Sequence, residues 1–228
     1  MKKVTMLLVM SVLFVSACST YKPVAKAVAY KQFYEEKPVA ILFMPPINRS
    51  TAVDAKEFFH ATLNIPIAEA GYYVIPPFIS MEILKQESAY DAELFLDAPL
   101  SKFGEIFGAD LALFTIINRW DKNALSANVF VEVEYIFKSI KTNEIVYSRK
   151  GSITCNASVS TGVGGIWGIV ADIAVSAINT AATKYVDVAK VCNTSTFSDL
   201  PAGKYHPKYG KDGAEDAGQQ EFKVTVKL

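Results

Sequence analysis

The chain has 228 residues, 51% of them hydrophobic and 20% charged, a balance that excludes a disordered chain and a collagen-like or mucin-like stalk. Its 23 basic and 23 acidic side chains cancel, which argues against a nucleic-acid binder that needs a basic face to neutralise phosphates. Two histidines, His60 and His206, are too few for most histidine-based metal sites, and the length suits one domain with a real core.

Taken in chain order, the first element is a secretory signal over residues 1–17. Lys2 and Lys3 form a positive start, residues 4–15 are almost wholly apolar, and Ser16 and Ala17 precede Cys18. That apolar run would span about 18 Å as a helix, against roughly 30 Å of hydrocarbon, so it is too short to cross a bilayer. Val15-Ser16-Ala17-Cys18 resembles a bacterial lipobox, in which cleavage precedes a cysteine that carries lipid. The resemblance implies a diacylglyceryl thioether on Cys18 and an acylated amino terminus. Several acyl chains at ~0.8 kcal/mol per buried CH₂ hold a protein on a bilayer almost permanently. Ser19, in place of the aspartate that marks inner-membrane retention in such lipoproteins, favours the outer membrane. Losing Lys2 and Lys3 leaves 21 basic against 23 acidic side chains, and no basic patch is evident, so the anchor is expected to hold the membrane alone.

Residues 18–38 read as a lipidated tether, with a short helix at most. Residues 39–192 read as the folded domain. Its first strand, 39–44, is stopped by Pro45-Pro46. A helix face then runs from Ala55 to Ala70, with Asp54 as a candidate N-cap, Gly71 past its end, and Pro66 kinking or splitting it. A strand at 72–75 ends on Pro76-Pro77. Helices are predicted over 78–86 and 99–107, the second closed by Gly108, followed by a buried strand at 111–117. Residues 126–138 and 145–154 alternate as a long antiparallel pair around a turn at 141–144. A glycine-rich patch, 162–168, leads to an apolar helix over 169–190. Residues 193–228 read as a polar C-terminal tail, extended or mobile through most of its length. The order β-α-β-α-α-β-β-β-α is a mixed α/β fold in one domain, with helices on a mixed sheet.

Candidate chemistry is sparse. Gly162-Val163-Gly164-Gly165-Ile166-Trp167-Gly168 follows a strand, opens a helix and precedes Asp187, as in a dinucleotide fingerprint, but Trp167 occupies the third glycine position and no following strand is evident. No cofactor or metal is expected. His60 reads as a partly buried structural histidine, and His206 sits in the tail where nothing holds it. Glu132 and Glu134 share a strand face, either as a carboxylate pair or as part of a solvated sheet face. Cys155 and Cys192 are the cysteines left after lipidation; beyond the inner membrane they are expected to pair as a disulfide, the alternative being two buried inert thiols. Val163, Ile166, Trp167 and Ile169 crowd apolar surface around one turn and form the candidate partner contact, with Trp167 as anchor; the alternative is core or lipid-headgroup packing.

Three stretches carry a family resemblance: AILFMPPINRS at 40–50, LNIPIAEAGYYVIP at 63–76 and FGADLALF at 107–114, with the glycine-rich stretch before the last helix. Over roughly residues 39–190 the chain resembles a family of bacterial lipoproteins of unknown function that includes a meningococcal lipoprotein vaccine antigen. The resemblance implies an outer-membrane lipoprotein with a fold similar to the amino-terminal domain of the Tol-system propeller protein. Related folds are those of the curli secretion pore lipoprotein and a lipoprotein activator of a peptidoglycan synthase. It implies no catalytic residues, and a curli-pore-like lipoprotein as partner; self-association stays open. The expectation is a non-enzymatic accessory subunit of an envelope complex, the alternative a periplasmic regulator of a cell-wall synthase.

Overall fold

The computed structural model of the chain describes residues 23–123, 128–156 and 183–227. Two short helices, α1 (Lys26–Ala29) and α2 (Lys31–Glu36), precede strand β1 (Ala40–Phe43). Thus most of the expected tether is packed from Val24 onward: Phe33 of α2 is buried against Tyr72 and Phe137. The tether reading missed this because α1 and α2 are too short to show a periodic face.

Strand β2 (Ile47–Asn48) continues along the same neighbour as β1 after the Pro45-Pro46 interruption. Prolines offer no N–H to a ladder, so the neighbour of β4 on this side is broken into two short strands. Next come α3 (Ala55–Thr62), α4 (Asn64–Glu69) and β3 (Tyr73–Val74). The expected split at Pro66 is there, at Leu63: the proline ring cannot fit against the carbonyl four residues earlier. Asp54, expected as the cap of α3, makes no side-chain capping bond and has helical backbone angles.

Helices α5 (Pro77–Gln86) and α6 (Ser101–Phe107) follow, separated by a 3₁₀ turn, Ala92–Phe95. Gly108 closes α6 in a left-handed conformation, φ 65°, as a glycine past a helix end does. Then come three long strands, β4 (Leu111–Asn123), β5 (Asn128–Ser139) and β6 (Ile145–Asn156), helix α7 (Thr183–Thr196) and strand β7 (Glu221–Lys227).

The sheet order is β3-β1-β4-β5-β6-β7, with β2 also on β4. Pairs β4–β5 and β5–β6 are antiparallel; the others are parallel. The mixed α/β fold expected from the sequence is therefore observed, extended by α1, α2, β2 and β7. One sheet face carries Leu113, Ile117, Val133, Tyr135 and Phe137 against α2, α3, α4 and α7. The other carries Leu42, Ala112 and Phe114 against α5 and α6. A bulge between Ile117 and Arg119 shifts the alternation of β4, so Trp120 joins the first core while Arg119 and Asp121 turn to the other face. Among the described residues, no helix is long and apolar enough to cross a membrane.

Candidate functional site

The region after α7 was expected to be a polar tail, and it is an ordered strap. Its sequence is rich in Gly, Lys and Asp because it is held by backbone hydrogen bonds and charges instead of an apolar stripe. Gly203 N–H donates to the Ala70 carbonyl at 2.8 Å, and Tyr205 N–H to that of Gly71 at 3.0 Å. The chains touch so closely that a Cβ on Gly203 would lie 2.5 Å from the Gly71 oxygen. Tyr72 also donates its hydroxyl to the Pro201 carbonyl at 2.5 Å. The strap ends in β7, which pairs in parallel with β6 and completes a β6-α7-β7 crossover. This strand corrects the expectation that none follows the helix. Yet the alternation of Phe222, Val224 and Val226 with Lys223 and Thr225 was a period-two signal that could have revealed it.

The strap clasps the N-terminal segment. Ala25 bridges Asp216, Ala217 N–H donates to the Val24 carbonyl at 2.8 Å, and Lys26 N–H donates to that of Glu215 at 2.8 Å. At the centre lies Asp212, almost fully buried. Its carboxylate accepts from Ala202 N–H at 2.8 Å and the Tyr34 hydroxyl at 2.9 Å, and it faces the buried Lys26 ammonium at 3.5 Å. Lys26 also reaches Glu215 at 3.1 Å, which in turn holds Lys208 at 2.7 Å. Hydrogen bonds from Lys208 and then Lys26 hold the Glu215 carboxyl below its usual range, while burial, then Asp212, pushes the Tyr34 phenol well up. Charge alternates through Lys208, Glu215, Lys26 and Asp212, tying the strap to the N-terminal segment.

A second buried join links the layers. Tyr135 of β5 donates its hydroxyl to Asn193 of α7, whose amide donates to Thr62 Oγ1 at 2.8 Å and to the Phe59 carbonyl at 3.2 Å. Arg149 of β6 pairs with Asp199 just beyond α7 and lies over the Phe222 ring, 4.7 Å from its centre.

The expected site residues divide into three groups. Cys18, Val163, Ile166, Trp167 and Ile169 lie outside the described residues, as does the glycine-rich patch 162–168. Cys155 and Cys192 come together as expected, but as free buried thiols and not as the disulfide that the sequence suggested. Burial, and then the hydrogen bond with Cys155, pushes the Cys192 thiol well up; that suppresses the thiolate through which exchange proceeds. The third group is His60, His206 and Glu132. His60 is largely buried beside the Phe43 ring, neither ring nitrogen makes a well-formed hydrogen bond, and burial lowers its pKa. His206 accepts the Lys208 N–H at 3.1 Å within the strap. Glu132 sits 3.9 Å from Arg119 on the open sheet face, in a shallow depression of about 360 Å³ that also includes Thr154 and Lys223. Among the described residues, no group of three or more His, Cys, Asp or Glu could hold a metal ion.

Comparison with known proteins gives these features a family. A meningococcal protein described as "Putative lipoprotein NMB1124/NMB1162" (Neisseria meningitidis serogroup B) is 34% identical over 110 residues, 48% of this chain. The match spans half the length of that relative. Among solved structures, lipoprotein GNA1162 from N. meningitidis is 26% identical and similar over 54% of this chain and 88% of that one, with a TM-score of 0.49. A PelC dodecamer from Paraburkholderia phytofirmans is similar over 79% and 92% of the two chains, at 13% identity and a TM-score of 0.41. The LpoB C-terminal domain from Salmonella enterica covers 56% and 94%, at 14% identity and 0.37. The family model "Putative lipoprotein GNA1162-like" matches residues 28–204, most of the folded domain and the start of the strap. The chain belongs to the GNA1162-like lipoprotein family.

Proposed function

We propose that this protein is a non-enzymatic lipoprotein, anchored through Cys18 to the bacterial outer membrane, that serves as a structural or accessory subunit of a cell-envelope complex of the curli-pore-like secretion kind. The observation that carries the reading is that Val24, so near Cys18 in the sequence, is packed on the domain. Val24 is already hydrogen-bonded to Ala217, so only five residues, or six residue steps, separate the candidate lipid-bearing Cys18 from a packed part of the domain. At ~3.3–3.6 Å per residue this reach is about 20 Å at most. A domain held so near its own membrane suits partners embedded in or resting on that membrane. The same reach weighs against the alternative of a regulator that extends through the periplasm to an inner-membrane synthase. Family membership supports the lipoprotein assignment, and Ser19 after the cysteine supports the outer membrane.

Crosslinking in intact cells followed by mass spectrometry tests the role. An outer-membrane pore or secretion lipoprotein among the crosslinked products supports it. Capture of a cell-wall synthase instead would replace it with the regulator reading, and turnover of a small molecule by the purified protein would overturn the non-enzymatic assignment.

A further inference from the structure

The strap concentrates lysine and tyrosine in one short run, on the segment that the fold joins to the N-terminal end of the domain. Residues 201–211 contain Lys204, Lys208 and Lys211 and no carboxylate, and these lysines alternate with Tyr205 and Tyr209. All five side chains are exposed, Tyr205 by 66%. The strap is tied to the chain leaving the anchor by the Lys208–Glu215–Lys26 relay, and Val24 and Val28, themselves exposed, lie on that same N-terminal segment. Of the carboxylates that follow, Asp212 is buried in the clasp, Glu215 pairs with Lys26 and with Lys208, and exposed Asp216 keeps its charge while accepting the Gly218 N–H at 3.0 Å, which leaves Lys204 and Lys211 as the strap's lysines outside these pairs. Glu69 lines the same cavity as Lys208 and His206, on the α4 side.

We infer that the strap from Gly203 to Lys211 is a membrane-docking surface that rests on the anionic phospholipid headgroups of the leaflet holding the anchor. Two facts on this molecule select that occupant. The six-step reach from Cys18 brings the Val24 end of the domain within about 20 Å of the lipid. Tyrosines and lysines are the side chains that settle at a headgroup boundary, the ring at the apolar edge and the ammonium against phosphate. Each lysine near an anionic surface improves docking about five-fold, so Lys204 and Lys211 together account for roughly 25-fold in the docked-to-undocked ratio. The lipid then sets the distance to the membrane, and the strap sets which face of the domain looks away from it.

This inference rests on the anchoring of Cys18, so its test reads the two separately. Mature protein is reconstituted into vesicles of phosphatidylcholine alone or with phosphatidylglycerol, neither of which carries an amine. Lysines are then acylated with an amine-reactive reagent and read by mass spectrometry, while the intact mass reports lipidation. Lys204 and Lys211 should be protected several-fold in phosphatidylglycerol vesicles and lose that protection in high salt, with exposed Lys102 on α6 unchanged in all vesicles. In a Lys204→Gln, Lys211→Gln variant, Lys208 should lose its protection while the protein stays on the vesicles. Lipidated protein with equal Lys204 labelling in both vesicle types overturns the docking surface and leaves the anchor standing. A mass lacking lipid overturns the anchor; the strap then stands if phosphatidylglycerol still protects Lys204, and falls if it does not.

Discussion

Replacing Asp212 with alanine should open the joint between the strap and the N-terminal segment. The carboxylate has a side-chain exposure of 1% and is shared by the Ala202 N–H, the Tyr34 hydroxyl and the Lys26 ammonium. Its loss strands two donors and leaves Lys26, 7% exposed, with Glu215 alone at 3.1 Å. Breaking one side of a buried pair costs ~3–5 kcal/mol. Glu215 is 42% exposed and keeps part of the compensation, which places the expected loss near the lower end, about 3 kcal/mol. For a domain of this size that lowers the thermal midpoint by roughly 6–12 °C. Asp212→Asn retains one acceptor oxygen, for Ala202 N–H or the Tyr34 hydroxyl, and should cost less than the alanine change. Adding Lys26→Met to Asp212→Ala removes the stranded ammonium and should restore ~1–2 kcal/mol. Urea unfolding of the mature protein measures all three, and amide exchange over residues 24–34 shows whether the loss is local. A loss below about 1 kcal/mol for Asp212→Ala, or no recovery in the double variant, would refute the clasp as an energetic joint.

Other changes test the remaining joins. Gly203→Ala forces a Cβ against the Gly71 carbonyl and should cost ~1–3 kcal/mol, with faster exchange at Tyr205; unchanged stability would show that the strap is not in close contact there. Tyr135→Phe leaves Asn193 Oδ1 without its buried donor and should cost ~1–3 kcal/mol by denaturant unfolding. Burial lowers the folded pKa of His60 below 6.5, so the folded state binds fewer protons than the unfolded one; stability should be level above that pH and fall as pH drops below it. His60→Gln should flatten this slope, and an unchanged slope would remove His60 as its source. Cys155 and Cys192 should resist thiol reagents in the native protein and both react on unfolding without reductant; finding neither reactive would restore the bridge.

What could be read in advance followed from local signals. The double prolines at 45–46 and 76–77, the split at Pro66 and the Gly108 cap all act within a turn of themselves, and each appears where the residues put it. The long alternation of β5 and β6 likewise shows directly which side chains face the core. What the sequence hid was cooperative over distance. Lys26 and Asp212 are 186 positions apart, and neither looks like a core residue until the other is beside it. The strap has no apolar period because main-chain contacts with Ala70 and Gly71 hold it, and a composition rich in Gly and Lys then reads as mobility. Strand β7 has a readable period-two pattern, but it lies beyond a Gly- and Lys-rich stretch that has none. The contact between the strap and residues 24–27 is likewise invisible locally, because it joins the two ends of the chain.

Metabolic labelling with a fatty-acid analogue, combined with membrane fractionation of wild-type and Cys18→Ala protein, tests the central claim most directly. The account predicts a labelled wild-type protein in the outer-membrane fraction. The variant should be unlabelled, and either an uncleaved precursor or released from that membrane. Label on Cys18→Ala, or an unlabelled wild-type protein free of the membrane, would contradict it.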